Sequence, residues 1–355
     1  MARRRCTAWC WPTSCVGTPR ISSTGAPGVD EAARARLAAW LTAEAGAPVV
    51  ITGMGLLSGG AVQQNWALDV LLGGSPQRWV LRTDNAAVLA VSHSRMAEFA
   101  LLQAAHAAGV AVPAPLFCCT ARDVTGAPFF IMQRVEGIAA GHRLVRAAQG
   151  AALAEALGRE LARIHSIHPP RADLAFLGAP PADAHVAFVA AQRAALDAAG
   201  TPRPVLEWGL RHLERTAPVS GDTVLNHNDF RTGNYMAQGD RVSAILDWEF
   251  AAWGDPHADH GWFCAPCWRF GALAQEAGGI GPRTAFYAGY EAASGRAVQH
   301  DRVLWWELAA TIRWAVVAAD QAGRHLSGDT SLELALTGHI VPELEMDVLR
   351  MTGIA

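Results

Sequence analysis

The spacing of apolar residues changes near Gly137, and this change is the strongest constraint on the fold. Up to that glycine the chain has short apolar runs separated by turn residues, which are typical of β-strands. From about Gly141 onward apolar residues recur every three or four positions, as amphipathic helices require. A sheet followed by helices predicts an α+β fold with two lobes. The predicted strands are residues 48–57, 62–72, 79–82, 116–119 and 129–133.

The two lobes are expected to differ in size and in structure. We expect residues 29–137 to form an N-lobe with a small antiparallel sheet, a short helix at 30–44 and one key helix at 92–108. Residues 138–355 are expected to form a larger, mainly helical C-lobe. Residues 1–28 are rich in Ser, Thr, Gly and Pro, and we expect either a disordered tail or an over-extended start there.

The charge balance disfavours a nucleic-acid-binding protein. The sequence carries 29 basic and 32 acidic side chains, a formal net charge of −3, whereas nucleic-acid-binding proteins carry basic patches. All basic residues are arginines, so a site that needs a cation must use a guanidinium or an imidazolium. Apolar stretches are shorter than the roughly 20 residues of a membrane span, and seven cysteines are few for this length. We therefore expect a cytoplasmic protein with free thiols and without nucleic-acid or membrane partners, while its oligomeric state stays open.

One segment of the C-terminal half contains the densest group of polar side chains. His227, Asp229 and Asn234 form the pattern H-x-D-x-x-x-x-N, and Asp247 follows within the apolar-flanked segment I-L-D-W-E. Phosphoryl transfer requires a carboxylate that orients a hydroxyl and accepts its proton, and an amide with a second carboxylate that bind magnesium. A lone H-x-D pattern arises often by chance. Its combination with D-W-E, G-D-P and Asp259 makes the assignment of these residues to phosphoryl transfer specific.

With these motifs the chain resembles the aminoglycoside phosphotransferase family, which has a protein-kinase-like fold. The resemblance covers roughly residues 48–320. It is closest to bacterial phosphotransferase-family proteins and to the kinase-like module fused to some acyl-CoA dehydrogenases. The resemblance implies a two-lobed fold, ATP and Mg²⁺ as cofactors, and transfer of the γ-phosphoryl group of ATP to a hydroxyl of a small molecule.

The resemblance also implies roles for the polar residues of the motif. Asp229 corresponds to the catalytic base, and Asn234 and Asp247 correspond to the metal ligands. His227 and Asp259 correspond to residues that support the catalytic loop.

A second set of positions is implied to bind the nucleotide. Ser58-Gly59-Gly60 resembles a hairpin whose backbone covers the phosphates, although a Gly-Gly pair by itself is more often an ordinary turn. Arg82 stands where the family has a lysine, Glu98 is expected to pair with it, and Glu136 follows the last strand as part of the hinge. The full set is Ser58, Gly59, Gly60, Asn65, Arg82, Glu98 and Glu136.

Two alternative functions stay open. A non-catalytic nucleotide-binding regulator is compatible with Arg82 in the lysine position and with Asn228, where Gly or Arg is commoner. An aminoglycoside-modifying kinase is the other alternative. A protein kinase is disfavoured because the sequence has no D-F-G or A-P-E segment. The sequence leaves open whether the nucleotide is ATP or GTP.

The acceptor is expected to bind in the C-lobe. Trp268, Arg269 and Arg283, with Arg313 further along, would suit an anionic or CoA-linked hydroxy compound, because arginine binds carboxylates and phosphates. The alternative is that these are surface arginines in a chain without lysine.

Two other kinds of site are disfavoured. His257, Asp259 and His260 are residue types that bind zinc, but the sequence places no third strong ligand. Cys264 and Cys267 match the C-x-x-C of thiol redox proteins, yet they lie among helices rather than after a strand. Two packed thiols are the preferred interpretation.

Overall fold

Five antiparallel strands form the sheet of the N-terminal part. The computed structural model describes residues 31–57, 63–84, 92–147, 150–328 and 332–355. The strands are Val49–Leu56 (β1), Gln63–Leu72 (β2), Ser75–Asp84 (β3), Pro115–Cys119 (β4) and Phe129–Gln133 (β5). Their order across the sheet is β1-β2-β3-β5-β4. The glycine turn expected between the first two strands lies outside the described residues.

Two helices cover opposite faces of this sheet. Helix α1 (Glu31–Ala45) packs in the same core cluster as Leu81 of β3. Successive residues of a strand point to opposite faces, so Arg82 points away from α1. Arg82 pairs across the strands with Phe130, which belongs to the core cluster of helix α2 (Arg95–Ala107). The alternation along β3 therefore directs the guanidinium toward α2.

Helices form most of the remaining chain. A short helix, Arg122–Thr125 (α3), precedes β5. The helices that follow the sheet are Gly141–Ala147 (α4), Ala151–Ile164 (α5), Ala184–Ala199 (α6), Pro204–Thr216 (α7), Pro256–Cys264 (α8), Arg283–Ser294 (α9), His300–Leu326 (α10), Leu332–His339 (α11) and Val341–Met351 (α12). None of the described helices is both long and apolar enough to cross a lipid bilayer. The expected order of sheet and helices is confirmed, while the lobe boundary after residue 137 stays a prediction.

Two short strand pairs frame the polar motifs. Val224–Asn226 (β6) pairs with Ala252–Gly254 (β9), and Tyr235–Gln238 (β7) pairs with Arg241–Ile245 (β8). The loop between β6 and β7 carries the H-x-D motif, and the loop between β8 and β9 carries D-W-E. The first loop runs from β6 to β7 and the second from β8 to β9. Because β6 pairs with β9 and β7 pairs with β8, the ends of the two loops lie side by side, and the two motifs are brought together.

Helices α5 and α9 approach closely where a glycine removes a side chain. A Cβ atom at Gly158 would lie 2.7 Å from the backbone nitrogen of Tyr290, whereas one at Gly323 of α10 would meet nothing within 4 Å. We predict that Gly158→Ala lowers the free energy of unfolding by about 2 kcal/mol, since overpacking forces backbone shifts. Gly323→Ala should raise it by up to about 1 kcal/mol through helix propensity. Urea unfolding measures both, and equal effects of the two variants would contradict close packing at Gly158.

Candidate active site

A buried aspartate of α8 fixes the start of the loop that carries the H-x-D motif. Asp259 Oδ2 accepts the backbone N–H of His227 at 2.7 Å, and Oδ1 accepts that of Asn228 at 2.8 Å. His165 Nε2 lies 3.2 Å from Asp259 Oδ2, and its Nδ1 lies 3.0 Å from the Tyr290 hydroxyl. Burial alone would raise the pKa of Asp259, but His165 and the loop N–H groups lower this pKa below its usual range. An ionised carboxylate therefore holds the loop.

The conformation of the loop accounts for Asn228. Its φ of 59° is left-handed, which asparagine tolerates better than most residues. Its Nδ2 donates to the carbonyl of Phe250 in the facing loop at 3.1 Å. Asn228 thus meets a backbone requirement and joins the two loops, so its presence does not itself favour a non-catalytic protein.

Three donors hold the carboxylate of Asp229. Oδ1 accepts hydrogen bonds from Trp262 Nε1 at 2.9 Å and from Arg231 Nε at 3.1 Å. Oδ2 accepts a hydrogen bond from the amide of Asn234. The carboxylate is therefore fixed in orientation, as a group that positions a hydroxyl before proton transfer must be.

Asn234 contacts this carboxylate, and Asp247 follows a residue that is hydrogen-bonded to the backbone of Asn234. Leu246 donates its N–H to the carbonyl of Asn234 at 2.8 Å, and His227 Nε2 lies 2.9 Å from the carbonyl of Leu246. Nδ2 of Asn234 faces Asp229, which leaves Oδ1 for another partner. Asp247 has a φ of 69°, an unfavourable conformation that the surrounding contacts maintain. An amide oxygen and a carboxylate are hard donors, so these residues fit magnesium.

Arg82 connects α2 to the second loop. Its Nη2 lies 2.9 Å from Glu98 Oε1 and 2.7 Å from Asp247 Oδ1, and its Nε lies 3.1 Å from Glu98 Oε2. Glu98 also pairs with Arg95. Burial would raise the pKa of Asp247, but the Arg82 guanidinium lowers that pKa. The expected pair of Arg82 and Glu98 is present, and the contact with Asp247 is an addition that the sequence did not predict.

We predict that Arg82→Met lowers the free energy of unfolding by about 2 kcal/mol, because two carboxylates lose a buried cation while Glu98 keeps Arg95. Arg82→Lys should have a smaller effect, since an ammonium keeps the charge but not the paired geometry. Urea unfolding measures both. The control is Arg159→Met in the exposed pair with Glu155, where the loss should stay below about 1 kcal/mol. If Arg82→Met lowered the free energy of unfolding no more than this control, the buried ion pairs of Arg82 would not stabilise the fold as predicted.

The structure describes part of the expected nucleotide-binding set. Residues 58–60 lie outside the described residues. Asn65 is the cross-strand partner of Arg82, and its Oδ1 is buried without a hydrogen-bond partner in the part of the chain that the structure describes. A buried oxygen of this kind suits a donor from a ligand. The exposed side chain of Glu136 pairs with Arg78 at 2.7 Å, so a hinge role for Glu136 would use its backbone.

Arg269 and Arg283 do not face an open acceptor pocket, contrary to the expectation from the sequence. Arg269 Nη2 lies 2.8 Å from Glu307 Oε1, and Arg283 Nη1 lies 3.1 Å from Glu307 Oε2. Arg269 also donates to the carbonyl of Cys264 at 2.7 Å, and Arg283 pairs with Glu276 at 2.9 Å. Both arginines are buried, so they are neither acceptor ligands nor surface residues. They stabilise the packing around a buried carboxylate.

Trp268 is also buried rather than open to a substrate. The guanidinium carbon of Arg231 lies 4.5 Å from the centre of its ring, and Trp262 and Trp314 pack against it. Its contribution to the site is therefore indirect, through the support it gives to Arg231 and Trp262.

Arg231 and Trp262 are site residues that the sequence analysis missed. Both donate to Asp229. Arg231 could have been found, because a basic residue two positions after Asp229 lies in the same loop. Trp262 could not be identified so directly, because its contact depends on how α8 packs against the loop.

The side chains considered for zinc and for redox chemistry have other contacts. His257 Nδ1 lies 2.9 Å from Asp255 Oδ1, and His260 Nδ1 lies 2.9 Å from the carbonyl of Pro256. No group of three or more His, Cys, Asp or Glu within the described ranges is arranged to hold a metal ion. Cys264 and Cys267 are free thiols, and burial raises the pKa of both, which disfavours the reactive thiolate.

Comparisons with known sequences agree with the motifs. The sequence profile of the phosphotransferase enzyme family matches residues 56–305. Acyl-CoA dehydrogenase family member 10 of Mus musculus is 29% identical over 186 residues, which cover 50% of this chain and 17% of the mouse protein. The chain thus matches a small part of that relative's length. The predicted likeness to a module of certain acyl-CoA dehydrogenases is confirmed.

Solved structures share the fold. A Ralstonia eutropha protein with a proposed aminoglycoside phosphotransferase identity superposes with a TM-score of 0.71 at 20% identity, over 90% of this chain and 98% of that chain. Spectinomycin phosphotransferase in complex with ADP and spectinomycin gives a TM-score of 0.60 at 12% identity, with the same coverage of 90% and 98%. At these identities the likeness shows the fold alone, and it confirms the predicted protein-kinase-like α+β fold.

Proposed function

The chain belongs to the phosphotransferase enzyme family, and on this premise we propose that it transfers the γ-phosphoryl group of ATP to a hydroxyl of a small molecule. The observation that carries the proposal is the carboxylate of Asp229, which Trp262, Arg231 and the amide of Asn234 fix in one orientation. Asn234 is in turn hydrogen-bonded through its backbone to Leu246, the residue that precedes Asp247. A protein that only bound nucleotide would not need this carboxylate to be held in one orientation.

Asp229 is the group that would contact the acceptor. Its carboxylate accepts a hydrogen bond from the acceptor hydroxyl and takes the proton as the new O–P bond forms and the bond to the leaving ADP breaks. Asn234 and Asp247 would hold magnesium, which neutralises charge on the nucleotide phosphates.

Two arginines would contribute positive charge around the transferring group. Arg231 contacts Asp229 and keeps one guanidinium edge near the reaction centre, where it can offset negative charge on the phosphoryl oxygens. Arg82 already contacts Glu98 and Asp247. We assign Arg82 mainly to positioning Asp247, in addition to offsetting nucleotide charge.

The acceptor proposed here is an anionic or CoA-linked hydroxy compound. The match to part of an acyl-CoA dehydrogenase family member supports a CoA-linked compound. The second candidate is an aminoglycoside, which the likeness to spectinomycin phosphotransferase supports only through its fold. A cytoplasmic location without nucleic-acid or membrane partners is part of the same proposal.

A metabolite screen tests the function. The protein is incubated with Mg²⁺ and ATP, or with GTP, and a library of small alcohols, and mass spectrometry detects products that gain one phosphoryl group. We expect product from at least one alcohol, and we expect a metal chelator to abolish it. Nucleotide binding without any product would favour the non-catalytic regulator instead.

A further inference from the structure

Arg313 differs from the other arginines near Asp229 in its partners. Its Nη1 donates to the carbonyl of Asn228 at 2.9 Å, and its guanidinium carbon lies 4.5 Å from the ring centre of Trp262. Within the described ranges Arg313 forms no salt bridge to a carboxylate. Four arginines around the site do pair with carboxylates, namely Arg82, Arg231, Arg269 and Arg283.

Arg313 lines a small pocket beside the catalytic loop. The part of the lining that the structure describes contains no carboxylate, so Arg313 is its charged member. Trp262 belongs to the pocket wall and donates to Asp229, so the pocket adjoins the catalytic carboxylate. The other lining residues are Phe188, Asn228, Ala258, Trp306 and Ala310.

A second polar group of this wall also has no partner in the described part of the chain. Trp306 is 6% exposed, and its buried Nε1 makes no hydrogen bond there. An unpaired buried donor costs free energy, and an acceptor atom from a ligand would remove that cost. The guanidinium of Arg313 favours a ligand with negative charge, and the indole N–H favours a hydrogen-bond acceptor; the oxygens of an anion would supply both.

Resting on the proposed function, we propose that the acceptor is a hydroxy compound with a compact anionic group, and that Arg313 binds this anion while Asp229 binds the hydroxyl. A guanidinium presents paired N–H donors that match the oxygens of a carboxylate or a phosphate ester. Stacking on Trp262 fixes its plane, so little side-chain freedom is lost on binding. A polycationic acceptor would meet a like charge and no acid in this lining.

Binding to matched probes tests the proposal independently of turnover. Calorimetry is performed with Mg²⁺ and a non-hydrolysable ATP analogue, using glycolate, 3-hydroxypropionate and 4-hydroxybutyrate against their amides, and glycerol 3-phosphate against glycerol. The preferred anion should bind about tenfold or more tightly than its neutral counterpart, as expected for a charge-assisted hydrogen bond. Comparing the hydroxy acids with glycerol 3-phosphate shows whether the site prefers a carboxylate or a phosphate ester.

The variants assign the preference to Arg313. Arg313→Gln should bind anion and neutral probe equally, and Arg313→Lys, which keeps the charge, should retain part of the preference. The control Arg159→Gln, in an exposed pair of α5, should keep the wild-type preference. Thermal unfolding confirms that each variant is folded, and the lysine variant remains a test if the glutamine variant is not.

Several outcomes would overturn the inference. These are equal binding of anionic and neutral probes by the wild type, tighter binding of the cationic 3-aminopropanol, or no binding of any anion. Anion binding without phosphoryl transfer would contradict the proposed function and would still support the anion site. Phosphoryl transfer to neutral alcohols as efficient as transfer to anionic ones would support the proposed function and would contradict the anion site.

Discussion

Asp229→Asn is expected to lower the turnover of phosphoryl transfer by roughly 10²–10⁴-fold, the usual contribution of general-base assistance, while nucleotide binding is retained. The asparagine oxygen can still accept from Trp262 and Arg231, but it cannot take the proton of the acceptor hydroxyl. The Asn234 amide loses one acceptor and keeps the backbone carbonyl of residue 229, which it contacts at 3.0 Å. The variant should therefore stay folded.

The measurement compares initial rates with the acceptor found by screening, together with nucleotide affinity by calorimetry. Asp240→Asn is the control, because this exposed carboxylate lies in the turn between β7 and β8 and should leave the rate unchanged. A rate in Asp229→Asn within about tenfold of the wild type would fall below the range expected for a general base. That result would assign proton transfer to another group.

Residues whose roles follow from local spacing could be predicted from the sequence. The H-x-D pattern indicated His227, Asp229 and Asn234, and the structure brings Asp247 beside them because the strand pairs join the two loops. The pair of Arg82 and Glu98 was expected from the family resemblance, and the structure contains it. Spacing within a segment limits the possibilities in the first case, and the resemblance limits them in the second.

Contacts between distant segments could not be predicted in this way. Arg82 meets Asp247 from 165 positions away, and Arg313 meets Asn228 from 85 positions away. Arg269 was expected to face a substrate, but a buried carboxylate, Glu307, lies against it. The sequence shows that a guanidinium is available, whereas helix packing decides which acid, if any, it contacts.

Asp259→Ala is expected to lower the free energy of unfolding by about 3–5 kcal/mol, as is usual when one partner of a buried charged network is removed. The carboxylate is fully buried and accepts the backbone N–H groups of His227 and Asn228. Alanine would leave both donors, and the ring of His165, without an acceptor. The same change frees the start of the loop that holds Asp229, so turnover should also fall.

The pH dependence of this loss has a defined sign. The pKa of Asp259 in the folded protein lies below its usual range, so its stabilisation is present near neutral pH and is lost as the pH falls through the folded-state value. The difference between the wild type and Asp259→Ala in urea unfolding should therefore shrink in acid. Asp173→Ala, in an exposed pair with Arg171, is the control and should change stability by no more than about 0.5 kcal/mol. If Asp259→Ala matched that control at neutral pH, the buried carboxylate would not be what fixes the loop that carries Asp229, and the rigidity of Asp229 would have to come from its other contacts, with Trp262, Arg231 and Asn234.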